Sequence, residues 1–171
     1  MMAEIGRYGS YCSTKTAVVS FSNEATYDVS LGCHSTSGRV LNDVMNIPWK
    51  NAGRNIAGAL QMAREVAING DPCRTLALLV TNVIADENPS ATSYQAGLAR
   101  LAGIEPYILS LVNDFEASKA YGITKHRKHV MSVVDYRMLL VASTMETIRQ
   151  WLFTPLTTTY GNVVALLSGR K

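Results

Sequence analysis

The residues best suited to chemistry in this chain are polar residues that follow apolar, strand-like runs or open a helix. Because the carboxyl ends of parallel strands lie at one edge of a sheet, we expect these residues to form a site there. The candidate residues are Ser22, Asn23, Gly53, Arg54, Asn55, Asn82, Asp86 and Glu87. Their oxygen atoms suit a hard cation, whereas the guanidinium of Arg54 suits an anion.

Binding is a better interpretation of this set than catalysis. The chain has no GxSxG or HExxH pattern and no Cys/His pair with an orienting acid, so we expect no catalytic residue and no enzyme activity. The turn at residues 53–58 matches neither common phosphate-binding glycine pattern, which favours a turn that packs a helix. We therefore expect no cofactor.

The densest basic segment is residues 125–129, Lys-His-Arg-Lys-His. Such a segment could contact an acidic partner or nucleic acid, but a solvated loop is its commoner structure. His126 and His129 could share a metal only on a helix, and no third ligand lies beside them. The chain has 16 basic and 13 acidic residues, and this surplus of 16 − 13 = 3 is too small to imply nucleic acid by itself, so we expect no nucleic-acid partner.

Length and composition fit one globular domain, with 171 residues, 47% apolar and 17% charged. No apolar run has the ~18 residues that a membrane span needs. Charged residues at the amino end argue against a signal peptide. Three cysteines form neither a zinc motif nor a closed disulfide set, so pairing of Cys33 with Cys73 and free thiols are both open.

Hydrophobic periodicity predicts alternating strands and helices. Strands are predicted at residues 16–21, 26–31, 76–80, 104–112 and 130–134, the first two as a hairpin. Helices are predicted from 37 to 48, from 55 to 69 with Asn55 as the cap, from 90 or 93 to 103, and from 138 to 153. Pairing after Pro106 and a helix end at Pro155 are expected. A further apolar run at residues 163–167 has no clear partner.

The run at residues 76–80 is continuously apolar, which is typical of a strand covered on both faces. Together with the alternation of strands and helices, it predicts an α/β fold with a doubly wound, mostly parallel sheet and helices on both faces.

Six segments in this order resemble the von Willebrand factor type A (VWA) domain family, over roughly residues 3–151. They are residues 18–22, 25–31, 52–60, 78–83, 103–110 and 130–139. The resemblance implies a ligand site at the carboxyl edge of the sheet, where the family usually holds a divalent metal.

Two departures from the family pattern bear on that metal. The family begins with a central strand ending in Asp-x-Ser-x-Ser, and nothing before Thr16 resembles it. In addition, Arg54 and Asn82 stand where the family has a threonine and an aspartate. A permanent cation at Arg54 opposes a bound dication, so we expect no metal site, or at most weak Mg²⁺ or Mn²⁺ binding supported by Asn82.

The first central strand therefore looks absent, and its place in the sheet must be filled. The candidates are residues 8–13, direct collapse of the neighbouring strands, a strand from another molecule, or an upstream portion of a longer protein. We favour the upstream portion. On this interpretation residues 1–153 form a VWA-like domain lacking its first strand, and residues 154–171 are a C-terminal extension.

The resemblance implies a non-enzymatic protein-binding module of the adhesion or extracellular-matrix type, as a fragment of a larger protein. The compartment would be extracellular, and the ligand a protein bound by the loops at the carboxyl edge, at residues 22–25, 51–55, 82–88 and 113–116. The alternative is an enzyme domain that binds a nucleotide or phosphorylated substrate at the same edge.

Overall fold

The computed structural model describes residues 15–32, 37–48, 53–69, 75–81, 88–111, 117–133, 135–156 and 162–168. The strands are β1 (Lys15–Phe21), β2 (Ala25–Gly32), β3 (Thr75–Thr81), β4 (Ile104–Ser110), β5 (Val130–Ser132) and β6 (Asn162–Ser168). The helices are α1 (Ser37–Met45), α2 (Ile56–Ile68), α3 (Pro89–Leu101), α4 (Ala117–Thr124) and α5 (Ala142–Leu156). Two short 3-10 turns lie at Arg127–His129 and Tyr136–Leu140.

The strands form one six-stranded sheet in the order β2-β1-β6-β3-β4-β5. Only the β1–β2 hairpin is antiparallel, and every other neighbouring pair is parallel. The predicted doubly wound, mostly parallel α/β fold is therefore confirmed. No helix within the described ranges is long and apolar enough to cross a membrane.

Helices cover both faces of the sheet because the central strands are apolar on both sides. On one face, β-strand residues such as Val19, Leu79 and Ile108 pack with α2, α3 and α4. On the other face, Leu78 and Leu109 pack with α5, and α1 covers the β1 side. The alternation of side chains along each strand separates these two cores.

Strand β6 fills the centre of the sheet and pairs with β1 on one side and β3 on the other. The expectation of a missing central strand supplied from upstream is thus replaced by a strand from residues 162–168. The expected boundary at residue 153 left this segment outside the domain. Its continuous apolar sequence, Val163-Val-Ala-Leu-Leu167, is what a strand buried on both faces requires.

The start of α3 and the start of pairing in β4 differ from the sequence prediction. Helix α3 begins after Asn88, whose side chain accepts a hydrogen bond from Ala91 N at 3.0 Å, rather than at Ser90 or Ser93. Strand β4 pairs with β3 from Ile104, so Pro106 lies inside it. Strand β5 reaches β4 only from Ile108, so the missing proline donor interrupts no ladder on that side.

The last helix also differs from its prediction. Residues 136–140 form a separate 3-10 turn, started by Asp135, whose side chain accepts a hydrogen bond from Arg137 N. Val141 then has an extended backbone, with φ −86° and ψ 121°, so α5 begins only at Ala142. Pro155 does not end the helix before it, because α5 continues to Leu156.

Candidate partner-binding edge

The carboxyl ends of β1, β6 and β3 lie side by side in the middle of the sheet. Phe21 is paired with Ser168, and the neighbouring Leu167 is paired with Val80. The Ser168 hydroxyl donates a hydrogen bond to the Val80 carbonyl at 3.3 Å. This contact fixes the end of β6 against β3, so Ser168 becomes part of the edge.

The turn after β1 is tied to the start of α2 by backbone hydrogen bonds. Asn55 N donates to Ser22 O at 2.7 Å, and Ser22 N donates to Glu24 O at 3.0 Å. The Asn55 side chain donates to Asn23 O at 3.0 Å and accepts from Gly58 N at 2.7 Å. Asn55 therefore both caps α2, as predicted, and joins the helix to the turn.

Gly53 permits the close approach of these two loops. Its φ is +62°, a left-handed conformation that side chains rarely adopt. A Cβ atom added there would lie 1.6 Å from the Asn23 side-chain oxygen. The small residue that the sequence indicated as a turn is therefore required both by backbone conformation and by the space that Asn23 occupies.

Arg54 stands between Gly53 and the cap residue, and it is half-buried. Its carbonyl accepts a hydrogen bond from Ile56 N at 3.0 Å, which holds the backbone at the amino end of α2. No ion pair links its guanidinium to another residue in the part of the chain that the structure describes. The edge thus has a permanent positive charge on a fixed backbone.

Five of the eight predicted site residues are brought together by these contacts: Ser22, Asn23, Gly53, Arg54 and Asn55. The other three, Asn82, Asp86 and Glu87, lie outside the described residues, as do the predicted loop at 113–116 and the cysteines. Sequence reasoning did not include Ser168 in the site. The signal that could have found it is the apolar run that ends there, which is typical of a central strand.

Several described hydrogen-bond donors lie at this edge. They are the hydroxyls of Ser22, Thr81 and Ser168, the Asn55 amide and the Arg54 guanidinium. Mg²⁺ and Mn²⁺ prefer charged oxygen ligands, and the carboxylate among the described residues 22–25 and 53–55 is that of the exposed Glu24. Throughout the described ranges, no group of three or more His, Cys, Asp or Glu side chains could hold a metal.

A second polar cluster lies at the outer flank of the sheet, near the amino end of β5. His129 is 4% exposed and stacks on Tyr107, with ring centroids 4.1 Å apart and planes at 16°. Trp151 of α5 meets the Tyr107 ring edge-on at 5.5 Å, and its indole N–H donates to Lys128 O at 2.6 Å. The ring of His126 lies 4.9 Å from that of His129.

Burial lowers the pKa of His129 to about 4, because a charged imidazole is poorly solvated there. The neighbouring His126 and Lys128 also lower this pKa, whereas Glu105 and a hydrogen bond with the Pro106 backbone raise it. The predicted solvated loop is confirmed at residues 125–128, which are exposed. His129, by contrast, is a buried structural residue.

Comparison with protein families decides what this architecture is. The model of the von Willebrand factor type A domain matches residues 4–145 of the chain. The chain belongs to the von Willebrand factor type A domain family. Strand β6 lies beyond the matched VWA residues, yet it occupies the centre of the sheet. No curated protein matches the chain.

Solved structures with the same VWA fold include proximal thread matrix protein 1 from the mussel byssus, at 19% identity and a TM-score of 0.72. A form of that protein with a zinc-occupied MIDAS motif is 15% identical, also with a TM-score of 0.72. An aerotolerance-related membrane protein from Bacteroides fragilis is 14% identical, with a TM-score of 0.63. These identities establish the fold alone.

The extent of these matches differs. The alignment with the mussel protein covers 86% of this chain but only 38% of the mussel chain in both forms. With the Bacteroides fragilis protein it covers 90% of this chain and 85% of that one. This VWA domain therefore spans less than half of the mussel protein and most of the bacterial structure.

Proposed function

We propose that this VWA domain is a non-enzymatic protein-binding module that captures an acidic side chain at the carboxyl edge without a bridging metal. The observation that carries the proposal is the arrangement around Arg54. Hydrogen bonds from Asn55 to Ser22 and Asn23 hold the Arg54 backbone beside the end of β1. The guanidinium of an arginine on this backbone can form two parallel hydrogen bonds with a carboxylate.

The charge of the described edge supports a direct salt bridge over metal capture. Arg54 carries a permanent positive charge, Ser22 and Ser168 contribute neutral hydroxyls, and the exposed Glu24 in the same turn carries the one described carboxylate among residues 22–25 and 53–55. A carboxylate would be attracted by this charge, whereas a divalent cation would be repelled. Any binding of Mg²⁺ or Mn²⁺ would accordingly be weak.

The biological setting that we propose is extracellular adhesion or matrix assembly, as one domain of a larger protein. Members of the VWA family commonly bind proteins. One structural relative is named as a matrix protein of the mussel byssus. These names motivate the choice of probes, which should be matrix proteins with exposed acidic segments.

The test is binding of the full chain to a panel of immobilised matrix proteins, with and without EDTA. For any binder, we expect affinity to survive EDTA and to fall at least about tenfold in Arg54→Ala, since hydrogen bonds to charged groups contribute about 1.5–3 kcal/mol. Arg39→Ala is the matched control, because Arg39 is exposed on α1 and its loss changes the net charge equally.

Two results would contradict the proposal. Unchanged affinity in Arg54→Ala would remove the role of the guanidinium. Binding abolished by EDTA, together with micromolar Mg²⁺ or Mn²⁺ binding by calorimetry, would show that the edge works through a metal.

A further inference from the structure

The turn between α4 and β5, residues 125–128, concentrates positive charge at the outer flank of the sheet. The side chains of Lys125, Arg127 and Lys128 are exposed, and residues 117–133 contain no Asp or Glu. Among the residues that the structure describes, none of these three cations forms an ion pair. Like charges so close together repel one another, so this basic turn attracts an anion from outside the domain.

The backbone of the basic turn is fixed, although its side chains are exposed. Lys125 N donates to Tyr121 O at 2.9 Å, and the Trp151 indole N–H donates to Lys128 O at 2.6 Å. A 3-10 turn at Arg127–His129 connects these two contacts. The backbone that carries the cations is therefore already ordered, which reduces the entropy lost when a ligand binds.

Lys125 has a backbone conformation that favours glycine. It directly follows α4 and has a φ of +59°. Glycine or asparagine is usual at such a position, because a Cβ atom opposes the left-handed backbone. The Lys125 Nζ lies 5.7 Å from the centre of the exposed Tyr121 ring, within the range of a cation–π contact. A cation thus stands where backbone energy alone favours glycine, which indicates a role for its charge.

The basic turn offers a ligand charge but little else. Four main-chain amides already donate within the protein, those of Lys125, His126, His129 and Val130. A peptide would therefore find few main-chain partners here. Stacking surfaces for nucleobases are also scarce, since Tyr107 is 2% exposed and Lys125 already lies over the Tyr121 ring. These features favour a ligand that is recognised by dense negative charge alone.

We propose that the basic turn binds a sulfated polysaccharide. Sulfate esters are permanently charged and recur along a flexible chain, so several of them can contact the exposed Lys and Arg side chains at once. The turn lies at the amino end of β5, whereas Arg54 lies at the carboxyl edge of the parallel strands. The proposal rests on the extracellular setting proposed above but not on Arg54, so the two binding sites are tested separately.

The first experiment measures binding of the full chain to an immobilised heparin oligosaccharide at about 0.1 M salt, where charge interactions are only partly screened. Lys125→Gly removes a cation and suits the backbone conformation, so its thermal midpoint should stay the same or rise. Its affinity for heparin should nevertheless fall about two- to fivefold, as expected for one exposed ion pair. Lys128→Gln should lower the affinity by a similar factor.

The matched control is Arg39→Gln, which removes one positive charge from an exposed position on α1 and should leave the affinity unchanged. An equal loss in Arg39→Gln would show that heparin responds only to net charge, and absence of heparin binding would show that the turn binds no such ligand. Loss of heparin binding in Arg54→Ala, with Lys125→Gly unaffected, would assign the polyanion to the carboxyl edge. Each of these results overturns the proposal.

The second experiment compares heparin with two other polyanions of matched charge, a polyglutamate peptide and a single-stranded DNA oligonucleotide. We expect heparin to bind more tightly than either. Equal or tighter binding of the peptide or the oligonucleotide would overturn the choice of a sulfated polysaccharide. If the chain binds no matrix protein but keeps heparin binding that depends on Lys125, the function proposed for Arg54 fails and the basic turn remains a binding site.

Discussion

The centre and the outer flank of the sheet are held in different ways. At the centre, β6 has a neighbour on each side and aliphatic side chains on both faces. At the flank, the three-residue β5 has one neighbour and is supported by the Tyr107–His129–Trp151 cluster. The centre depends on apolar burial, and the flank depends on aromatic stacking around a titratable ring.

This difference predicts different responses to perturbation. Burial of aliphatic groups does not depend on pH, and its loss is felt by the whole fold when the groups lie between two half-sheets. A buried imidazole is stable only while it is neutral, so the flank should respond to acid. We expect the centre to set global stability and the flank to set local and pH-dependent stability.

The largest expected effect is at the centre, for Leu166→Ala. The Leu166 side chain is 0% exposed, so truncation should lower the free energy of unfolding by about 2–5 kcal/mol through lost burial and a residual cavity. Urea denaturation of the full chain measures this change. Leu167→Ala, next along β6 but only partly buried, is the control and should cost clearly less.

A cost below about 1 kcal/mol for Leu166→Ala would contradict the tight packing of β6, since such values are typical of surface sites. Equal costs for the two leucines would contradict the burial difference between them. In either case the centre would not be the part of the sheet that governs global stability.

The next effect is acid sensitivity at the flank. Because the folded pKa of His129 is about 4 and the unfolded value is ~6.5, the unfolded chain binds the proton more strongly between these values. Stability should be full above pH ~6.5, fall as the pH drops towards 4, and level off below it. The total loss should be at most about 3–4 kcal/mol.

The measurement is the free energy of unfolding between pH 5 and 7, where most carboxylates stay ionised. His129→Phe keeps a ring against Tyr107 but cannot be protonated, so its stability should vary less over this range. His126→Gln removes the exposed neighbour and should leave most of the wild-type acid response in place. An identical slope in the wild type and His129→Phe would show that His129 does not cause the acid response.

The same contrast explains what the sequence could predict. The hairpin, the Asn55 cap and the strand at residues 75–81 follow from local patterns, so the doubly wound fold and five adjacent edge residues were predictable. The central position of β6 depends on pairing with strands that are distant in the sequence. An apolar run alone does not specify which strands it will pair with. The predicted start of the last helix at residue 138 was wrong. The apolar residues of the 3-10 turn at residues 136–140, which Asp135 caps, have the same spacing as those of an α-helix.

His129 shows a second limit. Its sequence context, a run of basic residues, is typical of a solvated loop, and its four predecessors are indeed exposed. Its burial depends on Tyr107 from β4, and the same cluster includes Trp151 from α5. Neither residue is near it in the chain, so local pattern alone could not distinguish the buried histidine from its exposed neighbours.

The smallest expected effect distinguishes local opening of the flank from global unfolding. Trp151→Phe removes the indole hydrogen bond to Lys128 O while keeping an aromatic ring, at a cost of about 1 kcal/mol. Native-state hydrogen exchange should then be about fivefold faster at the Val133 amide, which donates to Ser110 O at 2.8 Å beside β5. Amides of β6 should exchange as in the wild type if opening of the flank is local. Equal acceleration in β6 would mean that the flank and the centre open as one unit, and the proposed division of the sheet would be wrong.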